Sequence, residues 1–360
     1  MSALRELYRV DSLPVFQNRM YDTQAEARSA PTGGMRLVEN LATGLVYNAD
    51  FRAELVVYDE HYQNEQANSS AFRTHLEEVA GIIERTMGKR GIIEVACGKG
   101  YFLEMLAARE FDITGFDPAY EGTNPAIEKR YFDATSGMKG QGLILRHVLE
   151  HVQDPVGFLR DLQSANGGDG RIYIEVPCFE WICERGAWFD IFYEHVNYFR
   201  PVDFKRMFGA IHAQGHLFSG QYQYFVADLA SLRAPHYDAA DAVLFPPLSA
   251  TALPQAQSGE KGIVIWGGAS KGVIFALQCQ RRGIPVAAVI DINPAKQGKF
   301  LPATGLRVQA PNEVLPSLPD GTDIYVMNSN YLEEIRAQAG RRFRYVGVDS
   351  HQNKLIGKNK

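Results

Sequence analysis

The stretch FDIFYEHVNYF, residues 189–199, sets Tyr193, Glu194, His195 and Tyr198 within a few positions of one another. Histidine ordinarily titrates near neutrality, so it can take a proton and return it at physiological pH, and His195 is the candidate general base. A second constellation lies upstream. The run GIIEVA ends near Glu94, the chain turns through Ala96, Cys97, Gly98, Lys99 and Gly100, and a helical pattern, YFLEMLAAR, begins at Tyr101. Glycines in such a turn let backbone N–H groups come close to a ligand. Asp117 closes the next β-rich run 23 residues after Glu94, a spacing at which an acid can accept both hydroxyls of a ribose. A dinucleotide fingerprint needs Gly or Ala three residues after Gly100, where Leu103 stands, so an adenosine-type ligand fits this turn better than a pyrophosphate. A tight turn alone would call for the same glycines, and Asp117 is what tips the reading to a nucleoside.

These residues need a sheet to carry them. From about Gly91 short β-rich runs alternate with helical patterns, which predicts a parallel sheet covered by helices. The strand candidates are GIIEVA, FDITGFD, the short RYFD, GLILRHVL and RIYIEVP. Asp154 followed by Pro155 predicts a helix N-cap with proline in the first turn, the helix running to about Ser164. Beyond a Pro-, Ala-, Ser- and Gln-rich segment the alternation returns in GIVIWGG, KGVIFALQCQRRG, VAAVID and DIYVMN. GGASKG there reads as G-x-A-x-x-G, and Asp291 closes the next strand about 20 residues on, so taken alone this turn suggests NAD. The first seventy residues hold polar turns and no long amphipathic run, and they indicate no definite element. The predicted organisation is a small N-terminal module at 1–70, a nucleoside-binding α/β domain at 71–235, a linker at 236–260 and a second α/β unit at 261–350.

At 360 residues the chain exceeds one ordinary domain, and its 46% hydrophobic and 22% charged content is that of a globular protein. A formal net charge of −5 without a Lys/Arg-rich stretch offers no field for a phosphate backbone, which argues against a nucleic-acid partner. The four cysteines, Cys97, Cys178, Cys183 and Cys279, form no CxxC pair and imply neither a disulfide framework nor a zinc site. No basic segment precedes an apolar stretch at the amino terminus, and no run reaches the roughly 20 apolar residues that span a bilayer. The expectation is a cytoplasmic protein that acts on a small molecule and has no membrane partner; the oligomeric state is not indicated.

E-V-A-C-G-K-G, then G-F-D-P, then V-L-E-H-V resembles the class I S-adenosylmethionine-dependent methyltransferases in order and spacing. The resemblance implies a Rossmann-like α/β sheet that binds S-adenosylmethionine. Glu94 and the turn with Ala96, Gly98 and Gly100 would hold the amino-acid end of the cofactor, Asp117 followed by Pro118 the ribose, and Asp133 the adenine amino group. IEVP followed by FDIFYEHVNYF resembles the sugar and natural-product C-methyltransferases, whose usual string there is near Y-H-E-H-x-x-Y. YDEHY with SSAFRTHL, and DINPAKQGKFLP in the second unit, extend that likeness over most of the chain. It implies that His195 abstracts a proton beside a carbonyl, assisted by Glu194 and by Tyr193, Tyr198 and Tyr62. It also implies that the smaller, Rossmann-like C-terminal domain closes over the acceptor, with Lys271 suited to a phosphate or carboxylate. His147 and His151, after the fourth strand, fall near the transferred methyl, His147 on the cofactor side and His151 on the acceptor side.

The departures are specific. Tyr193 stands where the usual string has its first His, and the glycine-rich I-H-G-G-S-L-R segment survives only distantly as QYFVADLASLR. LVENLATGLVYN resembles the small zinc module of the family, yet Asn40 and Thr43 replace Cys ligands, and amide and hydroxyl oxygens are poor substitutes for thiolate, so no metal is expected. O- or N-methylation, an NAD-dependent oxidoreductase and a non-catalytic nucleotide-binding protein are the alternatives.

Overall fold

The computed structural model describes residues 3–57, 69–246, 253–254 and 262–350. The chain opens with β1 (Leu4–Pro14), α1 (Gln24–Arg28), β2 (Thr32–Asn40) and β3 (Val46–Asn48). The segment that sequence left without elements thus contributes three strands. The side chains at Met35 and Leu37 are buried at alternate positions of β2, the period a half-buried strand requires.

The next domain begins with α2 (Ser70–Met87), whose buried Phe72, Leu76, Val79, Ile83 recur at helical spacing and whose N-cap Ser69 accepts the N–H of Phe72. There follow β4 (Ile92–Val95), α3 (Tyr101–Ala108), β5 (Ile113–Phe116), β6 (Ile127–Glu128), β7 (Gly142–Arg146), α4 (Pro155–Ala165), β8 (Arg171–Pro177), α5 (Phe179–Arg185), β9 (Asn197–Tyr198), α6 (Pro201–Met207), β10 (Ile211–Leu217) and β11 (Tyr222–Asp228). Seven of these strands form one sheet in the order β10-β11-β8-β7-β4-β5-β6. The five from β6 to β8 are parallel, and β11 runs antiparallel to both its neighbours. β4 is the middle one of the five parallel strands, so the turn that follows it opens at the middle of their carboxyl edge, where open α/β sheets bind ligands.

Two sequence expectations shift here. RYFD is not a strand: pairing with β5 falls to Ile127–Glu128, and residues 130–133 bend into a short 3-10 turn. Asp133 accepts the N–H of Thr135 at 2.8 Å and Arg130 reaches the same carboxylate at 3.2 Å, local bonds that compete with strand pairing. The antiparallel strands β10 and β11 had no counterpart among the predicted elements. The helix at Asp154 matches its prediction, with the carboxylate accepting the N–H of Gly157 at 2.9 Å.

The third unit comprises β12 (Ile263–Trp266), α7 (Lys271–Arg281), β13 (Val286–Ile290), β14 (Val308–Gln309), α8 (Pro311–Val314), β15 (Asp323–Val326), α9 (Leu332–Ala339) and β16 (Arg344–Gly347). Its sheet is wholly parallel, ordered β14-β13-β12-β15-β16. The chain order reverses between β12 and β15, which makes their carboxyl ends a topological switch point.

The three units share surfaces. β9, from the segment carrying the candidate base, is the fourth strand of the N-terminal sheet, pairing Tyr198 with Val46 and Asn197 with Tyr47. One apolar core joins Leu13 and Met35 of that sheet, Trp188 and Phe189 of the same segment, and Ile274 and Phe275 of α7. Trp188 lies parallel over Phe275 with ring centroids 6.0 Å apart. Each such buried aromatic contributes about 1.5–3 kcal/mol relative to exposure, so the base segment is held from two sides. The linker is also anchored where it is described: Val243 donates its N–H to the buried Glu39 at 3.1 Å and accepts from Arg5 at 2.9 Å.

Candidate active site

β4 ends on Glu94 and Val95, and the chain then turns through Ala96, Gly98 and Gly100 with φ of 55°, 57° and 81°. At Gly100 the left-handed φ favours glycine, and a Cβ would also displace Ile127 Cδ1, 2.4 Å away, whereas Gly98 faces open space. Asp117, at the end of β5, accepts the N–H of Gly98 through Oδ2 and that of Ala119 through Oδ1, both at 2.8 Å. Glu94 is buried, and among the described residues its Oε2 has no hydrogen-bond partner. Burial pushes its carboxyl up to about 7, Asp117 adding to the effect and Arg146 opposing it. An orphaned, desolvated carboxylate beside a turn with free space above it suits a ligand that brings a cationic group. Pro118 is exposed beside Asp117, and Asp133 is an exposed cap of its own turn.

The turn after β7 holds His147, itself at φ 53°. Its Nδ1 lies 3.4 Å from Glu150 Oε1 and its Nε2 lies 3.2 Å from Glu175 Oε1. Burial alone would lower its pKa, but the two glutamates outweigh that and push it up to about 9. Glu175, on β8, is the hub of a buried network: His75 Nε2 is 2.8 Å from Oε1, while Arg146 Nε and the Tyr173 hydroxyl donate to Oε2 at 3.1 and 3.0 Å. Against the upward push of burial, Arg146, His147 and His75 hold its carboxyl well below the usual range. Arg146 thus faces Glu94 and Glu175 together, which ties the cofactor turn to the His147 turn. Sequence reasoning missed Glu175 and His75. The signal was present in RIYIEVP, where a glutamate interrupts an otherwise apolar strand and must find partners.

His195 is buried, with its ring 4.1 Å from that of Phe192 and 4.9 Å from that of His151 in edge contact. Burial, with His151 and His147 adding to it, holds the His195 imidazole well below its ordinary pKa, so it rests neutral. His151 Nδ1 lies 2.9 Å from the carbonyl oxygen of Glu194, and Val196 donates its N–H to the carbonyl of Glu150 at 2.7 Å. The two turns are therefore bonded on either side of His195. The Glu194 carboxylate accepts the N–H of Gln17 at 2.8 Å, from the N-terminal module. Tyr193 lies outside this cluster, and Tyr198 meets the His195 ring edge-on with centroids 6.3 Å apart while its hydroxyl is engaged elsewhere. The Tyr193 hydroxyl accepts the N–H of Arg52 at 2.8 Å and its ring stacks on Phe51, while the Tyr198 hydroxyl bonds both the N–H and the carbonyl of Phe192 at 3.0 Å. Tyr62 lies outside the described residues.

A cleft of about 1350 Å³, its open mouth included, runs from the His147–His151 turn and His195 to the carboxyl ends of β12, β13 and β15. Both domains line it. Glu194 and Gln221 face it from one side, and Trp266, Lys271, Asn293 and Asn328 from the other. Lys271 is buried there, its Nζ 3.1 Å from Asp190 Oδ2 and 4.8 Å from the ring centroid of Trp181. GGASKG repeats the geometry of the first turn, Asp291 Oδ2 accepting the N–H of Gly268 at 2.9 Å and Oδ1 that of Asn293 at 2.8 Å. Asn40 and Thr43 bond backbone N–H groups of the turn before β3, at 2.9 and 3.2 Å.

Residues 62–212 match the model of a methyltransferase domain, and residues 248–348 match that of a C-methyltransferase C-terminal domain. The chain is a methyltransferase. The second match covers the whole of the second α/β unit, from β12 to β16. No curated protein matches the methyltransferase. Among solved structures it is similar to a protein of Pyrococcus horikoshii OT3 (15% identity, TM-score 0.35, 49% of this chain and 100% of that one). Magnesium protoporphyrin IX methyltransferase from Synechocystis with bound SAH is also similar (15%, TM-score 0.34, 44% and 82%). So is a SAM-dependent methyltransferase from Archaeoglobus fulgidus (17%, TM-score 0.31, 44% and 100%). At such identities and TM-scores these likenesses say nothing of what the present methyltransferase acts on.

Proposed function

We propose that this methyltransferase transfers the methyl group of S-adenosylmethionine to a carbon beside a carbonyl on a small metabolite, a sugar nucleotide or natural-product intermediate, with His195 as general base. The observation that carries the reading is the shared cleft: a neutral, buried histidine lines it together with His147 and His151 of one domain and residues of the C-terminal domain. The cofactor supplies an electrophilic methyl on a sulfonium. Glu94, with its orphaned oxygen, and the turn at Ala96, Gly98 and Gly100 hold the amino-acid end, Asp117 the ribose and Asp133 the adenine edge. His147 lies on the methyl side of the cleft, and His151 and Lys271 face the acceptor. The imidazole nitrogen of His195 takes the proton of the acceptor, and closure by the C-terminal domain keeps water from competing. Glu194, fastened to Gln17, and the packed Tyr193 and Tyr198 fix the segment that presents the base.

The test has two stages. Calorimetric titration with S-adenosylhomocysteine and with NAD identifies the cofactor, and binding of NAD alone overturns the reading. Incubation with a methyl-13C donor and a panel of carbonyl-bearing sugar nucleotides is then followed by NMR. A new C–CH3 resonance supports carbon methylation, whereas an O–CH3 or N–CH3 resonance replaces it with heteroatom transfer.

A further inference from the structure

A histidine buried among rings makes a strained base, because the imidazolium it forms has no water to stabilise it. The groups around His195 can be named. Phe192 and Tyr198 offer ring surfaces, and His151 is an edge contact. The Glu194 carboxylate is drawn to Gln17, and Asp190 is paired with Lys271. His147 stands behind Glu150. Among the described residues, Glu150 is a further anion close to the ring. Glu150, 1% exposed, lies in the short turn Leu149–His151, and its Oε2 is buried with no hydrogen-bond partner among the described residues. A carboxylate oxygen of Glu150 and ring nitrogens of His151 and His195 all lie within 4.8 Å of one another. The Glu150 backbone is tied to the base segment as well, through its carbonyl and the N–H of Val196 at 2.7 Å.

We propose that Glu150 is the positioning residue for His195, its unpartnered carboxylate oxygen receiving the imidazolium N–H that forms when the base takes a proton. The inference rests on His195 being the base and adds the group that makes it one. In the step, the C–H bond of the acceptor breaks and its proton moves to His195. The electron pair left on carbon forms the new C–CH3 bond while the S–CH3 bond breaks and its electrons leave with sulfur. The charge created on His195 is met by Glu150, and the proton passes to solvent when the cleft opens. His147, held on the far oxygen of Glu150, helps to fix that carboxylate at the cleft. Apolar packing explains the position of His195 but gives no use for the unpartnered Oε2 of Glu150 beside it, since a buried acceptor without a donor is costly.

The experiment follows the His195 ring by NMR in the full chain with 15N-labelled histidine, its signals assigned by their loss in His195→Ala. Wild type, Glu150→Gln and Glu150→Asp are titrated with acid, and the affinity of each for S-adenosylhomocysteine is measured in parallel. The expected result is that Glu150→Gln needs at least about one pH unit more acid to protonate His195, while Glu150→Asp stays within about half a unit of wild type, both with near-wild-type affinity for the nucleoside. Superimposable curves for all three proteins, or an equal shift in both variants, overturn the proposal. Either outcome leaves the role of His195 itself to be judged separately by the turnover of His195→Ala.

Discussion

Asp117 Oδ2 and the N–H of Gly98 are 2.8 Å apart, so the acid that closes β5 also fastens the turn that leaves β4. Asp291 does the same for Gly268 in the C-terminal domain, at 2.9 Å. The two turns are alike in backbone and differ in what lies beside them. The first has the buried, unpartnered Glu94 at its root, and the second has Val264 and Trp266 on the corresponding strand.

That contrast gives the first prediction. Asp117→Ala removes the acceptor for two backbone N–H groups and for the ribose, and hydrogen bonds to a charged group contribute about 1.5–3 kcal/mol each. Affinity for S-adenosylhomocysteine should fall by at least about a hundredfold, equivalent to about 3 kcal/mol. Asp291→Ala makes the same deletion in the other turn and should change that affinity by less than about threefold. Calorimetry on both variants decides it, and equal losses would mean that the nucleoside does not prefer the first turn.

Glu94 gives a pH prediction whose sign follows from its environment. Its carboxyl titrates near 7 in the folded protein against an ordinary value of 4.5. The folded chain holds the proton more tightly than the unfolded one, so this group favours folding in acid, and the benefit is lost as pH rises from 4.5 to 7. A ligand that carries a cation to Glu94 favours the carboxylate, so its binding releases the proton. Affinity should therefore climb about tenfold between pH 6 and pH 8 and level off above, since one pKa unit corresponds to 1.36 kcal/mol. Glu94→Gln should bind more weakly and lose the slope. A slope retained in the glutamine variant would assign it to another group.

His195→Ala tests the base. It should abolish methyl transfer while leaving affinity for S-adenosylhomocysteine within about tenfold, a difference near 1.4 kcal/mol, because the ring faces the cleft and not the Gly98 turn. Equal turnover in variant and parent would remove His195 from the chemistry.

The parts legible in the sequence are those fixed by local rules. The turn from Glu94 to Gly100 with Asp117 on the next strand is written in glycines and acids at set distances, and the Asp154–Pro155 cap is written in two adjacent residues. What escaped depends on partners far along the chain. β1, β2 and β3 become a four-stranded sheet only with β9, about 150 residues later, so nothing local announces that Tyr198 pairs with Val46. Tyr193 and Tyr198 look like site residues beside His195, yet the chain turns at Tyr193–Glu194, with the N–H of His195 on the carbonyl of Phe192, and the two tyrosine hydroxyls are taken by Arg52 and Phe192. RYFD has the composition of a strand, and the Asp133 turn bonds take precedence. Glu175 was overlooked because its partners come from three other elements, with His75 on α2, Arg146 on β7 and His147 in the turn beyond.

The same long-range logic predicts how the cleft is held shut. Glu334, on α9 of the C-terminal domain, accepts from the Ser69 hydroxyl at 2.7 Å and from the N–H groups of Ser70 and Ala71 at 3.3 Å, so it caps α2 of the other domain. Asn328 and Asn330 add bonds from the same domain to Gln221 and to the carbonyl of Phe218, at 2.8 and 3.0 Å. A carboxylate at a helix N-terminus contributes about 0.5–2 kcal/mol, a small part of the stability of a 360-residue chain but a large part of the balance between open and closed clefts. Glu334→Ala should leave the melting temperature within a few degrees of wild type, yet speed amide hydrogen exchange at Ser70 and Ala71 by about fivefold or more. Exchange mass spectrometry on peptides covering the start of α2 reads this directly. Unchanged exchange there, with Glu334 gone, would show that the domains are held together by their shared core and that the cap contributes nothing to closure.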